Sequence, residues 1–177
     1  MATMASAQKI DIGLQVIPSI PVDDAFSELF DFGFGGKLTG EYFLNDNIGV
    51  GVDIGYITFS ETAEFSNPFT GNVITQDIDV NIVPIQATGT YHLDASEDFD
   101  VFGGAGVGVA IVGDGESETD SETNLAFSPR IGASYAFSDK LRGNFTGSFL
   151  VVTAEEDDAD SAQFLNFNLG VTYTLWD

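Results

Sequence analysis

The sequence predicts an all-β fold, an eight-stranded antiparallel up-and-down transmembrane β-barrel. Three observations predict it. Large apolar residues alternate with small or polar ones along the whole chain, which is the pattern of strands with one apolar face. The connections between these segments alternate between short and long, as in membrane-spanning barrels. The second face of the segments consists mainly of Gly, Ser, Thr and Asn, which fit the narrow interior of a small barrel.

The alternation divides the chain into eight segments. In chain order, their apolar positions run from Ile10 to Val16, Phe32 to Leu44, Ile48 to Tyr56, Ile78 to Leu93, Phe99 to Ile111, Leu125 to Phe137, Leu141 to Val151 and Leu165 to Leu175. A tilted membrane strand needs roughly 9–11 residues, which these segments supply. The alternation of the fourth segment changes parity near Val83-Pro84, and a proline cannot donate to the ladder, so we expect a β-bulge there.

The connections set the two ends of the barrel apart. The short connections are Asn45–Asn47, Asp94–Asp98 and Ser138–Lys140, and the long ones are Pro21–Asp31, Ser60–Asn72, Gly113–Glu122 and Thr153–Ala162. An even number of strands brings both termini to the short-turn end. We expect that end to face the periplasm and the long loops to be extracellular.

The first residues are set apart by small side chains. Ala5-Ser6-Ala7 before Gln8 resembles the end of a signal peptide. We therefore expect residues 1–7 to be a signal-peptide remnant or a disordered N-terminus, and residues 8–177 to form the barrel.

Composition excludes several classes of protein. The 177 residues include 5 Lys+Arg and 28 Asp+Glu, for a net charge of -23. Nucleic acid is excluded as a partner because phosphate binding needs clustered cations. The chain has no Cys, so neither a disulfide framework nor a thiolate metal site is expected. No run of about 20 apolar residues exists that would form a transmembrane helix.

The apolar face is too bulky for the inside of eight strands, so we expect it to meet lipid. Aromatic residues are expected in two belts at the membrane interfaces. Those near the short-turn end are Tyr42, Tyr91, Phe99, Tyr135, Phe137 and Tyr173, and those near the long-loop end are Phe32, Tyr56, Phe127, Phe149 and Phe167. A soluble lipocalin-like carrier is the alternative, and it would need a roomy apolar interior.

Four stretches of sequence resemble the small eight-stranded outer-membrane barrels of the OmpA transmembrane-domain and opacity-protein type. They are GGKLTGEYFLNDNIGVGVDIGY, FGGAGVGVAI, PRIGASYAFSDKLRGNF and FNLGVTYTLW. The resemblance covers Gln8 to Asp177 and implies a bacterial outer-membrane location, surrounded by outer-membrane lipid and lipopolysaccharide. Such barrels usually end on an aromatic residue, whereas here Asp177 follows Trp176.

The inward face carries charged residues, which must be paired when buried. They are Lys37, Glu41, Asp53, Arg130 and Arg142. Lys37 and Asp53 lie in one hairpin and are expected to be close together. We predict a polar network in the lumen that fixes the barrel shape. A gate for small ions is the alternative, which the resemblance to the OmpA type would allow.

The long connections are acidic and contain no Lys or Arg. No cofactor is expected, although carboxylates in these loops are weak candidates for Ca²⁺ or Mg²⁺ binding. These candidates are Asp114, Glu116, Glu118, Asp120, Glu155, Glu156, Asp157 and Asp158. The spacing does not match an EF-hand, and the sequence favours a solvated, self-repelling cap over a metal site, with a contact surface for a basic partner or host ligand as a third interpretation.

Catalysis is not expected. The single histidine, His92, falls near the periplasmic end of a strand, where it is predicted to be an interfacial polar residue, and no nucleophile–His–acid set can be assembled at the outer rim. We predict a non-enzymatic protein with a structural or surface-interaction, adhesion-like role through its acidic loops. A narrow channel, the soluble carrier and a self-assembling lattice or filament subunit are the alternatives, and an extracellular ligand or a homo-oligomer stays open.

Overall fold

The computed structural model describes residues 9–66, 73–114, 121–153 and 161–176. The strands are β1 (Ile10–Pro21), β2 (Gly33–Phe43), β3 (Ile48–Ser66), β4 (Val73–Asp94), β5 (Phe99–Asp114), β6 (Ser121–Ala136), β7 (Leu141–Val152) and β8 (Ala162–Trp176). Each strand pairs antiparallel with its neighbour in the sequence, and β1 pairs with β8 to close the barrel. A helical turn, α1 (Asp24–Ser27), lies in the connection between β1 and β2. The predicted eight-stranded up-and-down barrel is confirmed.

No helix within the described parts of the chain is long and apolar enough to cross a membrane.

The outer surface of the barrel is apolar. Large side chains are exposed around it, such as Leu125 at 67% and Ile131 at 72% of their full area. Three exposed tyrosines, Tyr91, Tyr135 and Tyr173, lie beside the short turns, and Tyr56 lies nearer the long connections. A surface of this kind is stable against hydrocarbon because the closed sheet satisfies all backbone groups internally.

The expected bulge at Val83-Pro84 is wrong. Val83 pairs with Ile111 and Pro84 with Ala110 in an unbroken register with β5. On the other side the ladder to β3 is interrupted at Pro84 and resumes at Ile82 in the same register. The register of β4 stays constant. The apolar residues change from odd to even positions because the inward-facing residues are apolar from Ile82 toward the long-loop end.

Two of the long connections are shorter than predicted. β3 runs to Ser66, inside the predicted loop 60–72, and β4 starts at Val73, directly after that loop, while β5 and β6 extend into the predicted loop 113–122. The 19 and 22 residues of β3 and β4 are about twice what a membrane strand needs, so their hairpin projects beyond the long-loop end. A strand that extends beyond the membrane needs no apolar face, because its backbone hydrogen bonds alone pair it with its neighbour. The alternation of apolar residues therefore does not show where such a strand ends.

The barrel interior has two chemically different halves. The short-turn half is polar, as predicted. The long-loop half is filled by apolar side chains, here called the apolar plug: Ile17, Phe30, Ile57, Phe59, Ile82, Ala110, Ala126, Leu150, Val152 and Phe164. The expectation that the large apolar residues face lipid is therefore wrong at this end, where they also fill the interior.

Candidate functional site

An inner cluster of three charges lies at the middle of the barrel. The Lys37 ammonium donates to Asp53 at 3.2 Å, and Arg130 Nη1 donates to the same carboxylate oxygen at 2.6 Å. All three side chains are at most 9% exposed. The guanidinium fits against β5 because Gly106 has no Cβ, which would lie 2.7 Å from Arg130 Nη2. Two cations thus share one buried carboxylate.

A second cluster lies closer to the short turns. Arg142 Nη2 donates to Asp100 at 2.7 Å, and the same carboxylate lies 2.7 Å from His92 Nδ1. His92 Nε2 lies 3.3 Å from Glu41. The imidazole ring packs between Phe43 and Phe102, with ring centroids 5.0 and 5.2 Å away. His92 therefore lies inside the barrel, and the prediction of an interfacial residue is wrong.

The Thr90 hydroxyl lies 3.3 Å from His92 Nε2, so a hydroxyl, an imidazole and the Asp100 carboxylate stand in series. However, Thr90 donates its proton to Glu41. The hydroxyl hydrogen thus points to a carboxylate and not to the imidazole, which is the wrong arrangement for a nucleophile activated by histidine.

Neutral side chains complete the polar half. Gln15 donates to Asn144 at 2.9 Å, and Asn144 donates to Thr172 at 2.7 Å. Ser128 donates to Gln86 at 2.7 Å. These bonds cross the interior or join neighbouring strands, and they rigidify the barrel where both partners are satisfied.

A polar cavity of about 80 Å³ remains among these groups, with room for roughly five waters. Both charged clusters line it. Exposure falls from 23% at Arg142 to 7% at Arg130, so the cavity opens toward the short turns. It is far smaller and more polar than the interior of a carrier for an apolar ligand.

The apolar plug closes the opposite end. The ring of Phe59, which is fully buried, lies 5.2 Å from Phe164 and 5.4 Å from Phe26, measured between centroids. Phe26 and Phe30 come from the connection after β1. That connection is fixed by Asp23, whose carboxylate accepts hydrogen bonds from the backbone N–H groups of Phe26 and Gln163. The first loop thus folds into the barrel mouth.

The structure brings four of the five predicted lumen charges into two clusters, with Glu41 joined to the second through His92. Three further interior groups, His92, Asp100 and Asp11, were not predicted from the sequence. The signal was present, because each occupies the inward parity of its strand. Asp11 pairs with Lys9 at 3.1 Å near the barrel end.

The loop carboxylates proposed as metal ligands lie largely outside the described residues. This holds for Glu116, Glu118, Asp120, Glu155, Glu156, Asp157 and Asp158. Asp114 ends β5, and its side chain is not described. Within the described ranges, no group of three His, Asp or Glu residues is placed to hold a metal ion.

Solved structures share this fold. Neisserial surface protein A has a TM-score of 0.69 and 14% identity, covering 93% of this chain and 96% of its own. The attachment invasion locus protein of Yersinia pestis, in complex with the heparin analogue sucrose octasulfate, has a TM-score of 0.56 and 16% identity, covering 95% and 99%. A major outer membrane protein from Thermus thermophilus has a TM-score of 0.54 and 13% identity, covering 94% and 99%.

Such low identities establish the fold alone. A search of curated protein sequences finds no match. The model of the outer membrane protein β-barrel domain matches residues 1–174, almost the whole chain. With a lipid-facing apolar band around a closed eight-stranded barrel, this chain belongs to the outer membrane protein β-barrel family of the bacterial outer membrane.

Proposed function

We propose that this protein is a sealed, non-enzymatic scaffold whose working parts are its long acidic connections on the cell surface. The apolar plug is the observation that carries the proposal. Phe59 and Phe164 are fully buried in it, and loops from a rigid scaffold are the usual carriers of binding functions. The interior is filled by apolar side chains at one end and by charged side chains at the other, which favours a scaffold over a channel.

The orientation follows from the two ends of the barrel. Ile10 pairs with Trp176, so the first and last strands begin and end beside the short turns. In bacterial barrels the short turns face the periplasm and the longer loops face outward. We therefore infer that the termini are periplasmic and that the plug closes the outer mouth.

Charge is distributed unequally between the ends. The four long connections hold sixteen acidic residues, and all five cations, Lys9, Lys37, Arg130, Lys140 and Arg142, lie elsewhere in the sequence. A surface of this charge attracts cationic partners and repels polyanions. The binding of a heparin analogue by the Yersinia pestis protein is therefore not expected of this chain. A basic protein surface is the proposed partner, and divalent cations are competitors for the same carboxylates.

Neutralising the acids of the fourth long connection tests this role. We expect amide replacement of Glu155, Glu156, Asp157 and Asp158 to weaken the binding of fluorescent oligolysine to expressing cells by about tenfold, since a surface ion pair contributes about 0.4 kcal/mol. The matched control neutralises four acids at the short turns, Asp94, Glu97, Asp98 and Asp139. Equal effects of the two variants would contradict the orientation, and no effect of either would contradict the surface role.

Conductance separates the scaffold from a narrow channel. We expect the purified protein to produce no channel openings in planar lipid bilayers, because the plug leaves no continuous water path. A general porin inserted into the same bilayers is the positive control. Sustained openings, altered by the Arg130→Leu replacement, would instead assign the charged network to a gate.

A further inference from the structure

The inner cluster is not neutral by itself. Lys37 and Arg130 share the single carboxylate of Asp53, which leaves one positive charge in excess. The other interior acids are already engaged, since Asp100 pairs with Arg142 and Asp11 with Lys9, while Glu41 is hydrogen-bonded to His92 and Thr90. An uncompensated charge at this depth is costly, so a counter-charge is expected beside it.

Some hydrogen-bond donors of the inner cluster also have no acceptor among the described residues. Arg130 Nε is buried and has no partner among the described residues. The Lys37 ammonium has three N–H donors, and within the described chain its hydrogen-bond acceptor is Asp53. Buried donors without acceptors are rare in folded proteins and indicate a bound water or ion.

The cavity provides space beside these donors. Lys37 and Arg130 both line it, together with the side chains of Thr39, Thr88 and Thr146. Its volume of about 80 Å³ admits a small ion with a few waters, and it opens at the short-turn end past the partly exposed Arg142. A single excess positive charge matches a monovalent anion, whereas sulfate or phosphate would reverse the charge.

We propose that the inner end of the lumen cavity binds a small monovalent anion of the halide class between Lys37 and Arg130. The anion accepts from the free donors of both cations and replaces the missing counter-charge. It enters from the side that we assign to the periplasm. This site is independent of the surface role, because it lies inside the lumen, whereas the acidic connections lie outside the barrel.

Urea unfolding of the full chain in lipid vesicles tests the site. We expect a higher midpoint in sodium chloride than in sodium gluconate of equal ionic strength, because an ion that binds only the folded state stabilises it by mass action. The difference should saturate with chloride and disappear in Lys37→Met. The matched control, Lys140→Met, changes an exposed lysine of a short turn and should keep it. Equal midpoints in the two salts, or equal shifts in both variants, would overturn the proposal.

Crystals of the unmodified protein grown in bromide give a test that needs no variant. We expect an anomalous peak within hydrogen-bond distance of Lys37 Nζ and Arg130. Because this measurement does not depend on the folding of Lys37→Met, it remains decisive if that variant forms no barrel. Density for water alone at this position would overturn the proposal.

Discussion

The Asp53→Asn replacement is expected to lower the free energy of unfolding by about 3–5 kcal/mol. It removes the carboxylate that Lys37 and Arg130 share while keeping the size of the side chain. Two buried cations would then face each other without their protein counter-charge. The loss should exceed that of an ordinary hydrogen bond, about 1 kcal/mol, several-fold.

The measurement is urea unfolding in lipid vesicles, with the heat-dependent shift in gel mobility as the test that the barrel has formed. The matched control is Asp139→Asn in the exposed turn between β6 and β7. We expect its effect to stay within about 0.5 kcal/mol, as is usual for surface positions. A similar effect of both replacements would mean that the inner cluster contributes little to stability.

The Phe59→Ala replacement is expected to destabilise the barrel by about 3–5 kcal/mol, the usual range for a buried aromatic side chain. The Phe59 ring is fully buried and lies within 6.0 Å of the rings of Phe26, Phe30 and Phe164. It also occupies the space that Gly33 leaves open by having no Cβ, so its removal creates a cavity at the centre of the apolar plug.

Its control is Phe32→Ala, which truncates a ring that is 51% exposed just before β2. Both variants are compared by their urea midpoints in the same vesicles. The structure predicts a much larger loss for Phe59. Comparable losses would indicate that the plug is not packed as described, and the proposal of a sealed scaffold would lose its main support.

The charged network shows which contacts a sequence can predict. Lys37 and Asp53 could be paired in advance because they occupy inward positions of one hairpin, whose register is set by the short turn at Asn45. Arg130 was assigned to the same face by the alternation of β6. Its contact with Asp53 joins β6 to β3, which are not neighbours in the sheet. Only barrel closure, which brings opposite walls together, decides that contact.

The apolar plug shows the reverse case. Alternation in β3 and β4 assigns Ile57, Phe59 and Ile82 to one face or the other, but it does not reveal that the interior changes from polar to apolar along its length. That change misled the interpretation of Val83-Pro84, where a continuous strand resembles a bulged one. The plug also depends on Phe30, which arrives from a loop after β1 and carries no strand pattern.

The sequence by itself determined the number of strands, the lipid-facing band and five of the inward charges. Each of these follows from a period of two residues, which is a local property of the chain. The tertiary structure alone decided that His92 lies between Asp100 and Glu41, that the first loop fills the long-loop end of the barrel, and that two cations share Asp53. These contacts depend on the height of each residue along the barrel and on the curvature of the closed sheet, which bring together residues from distant strands.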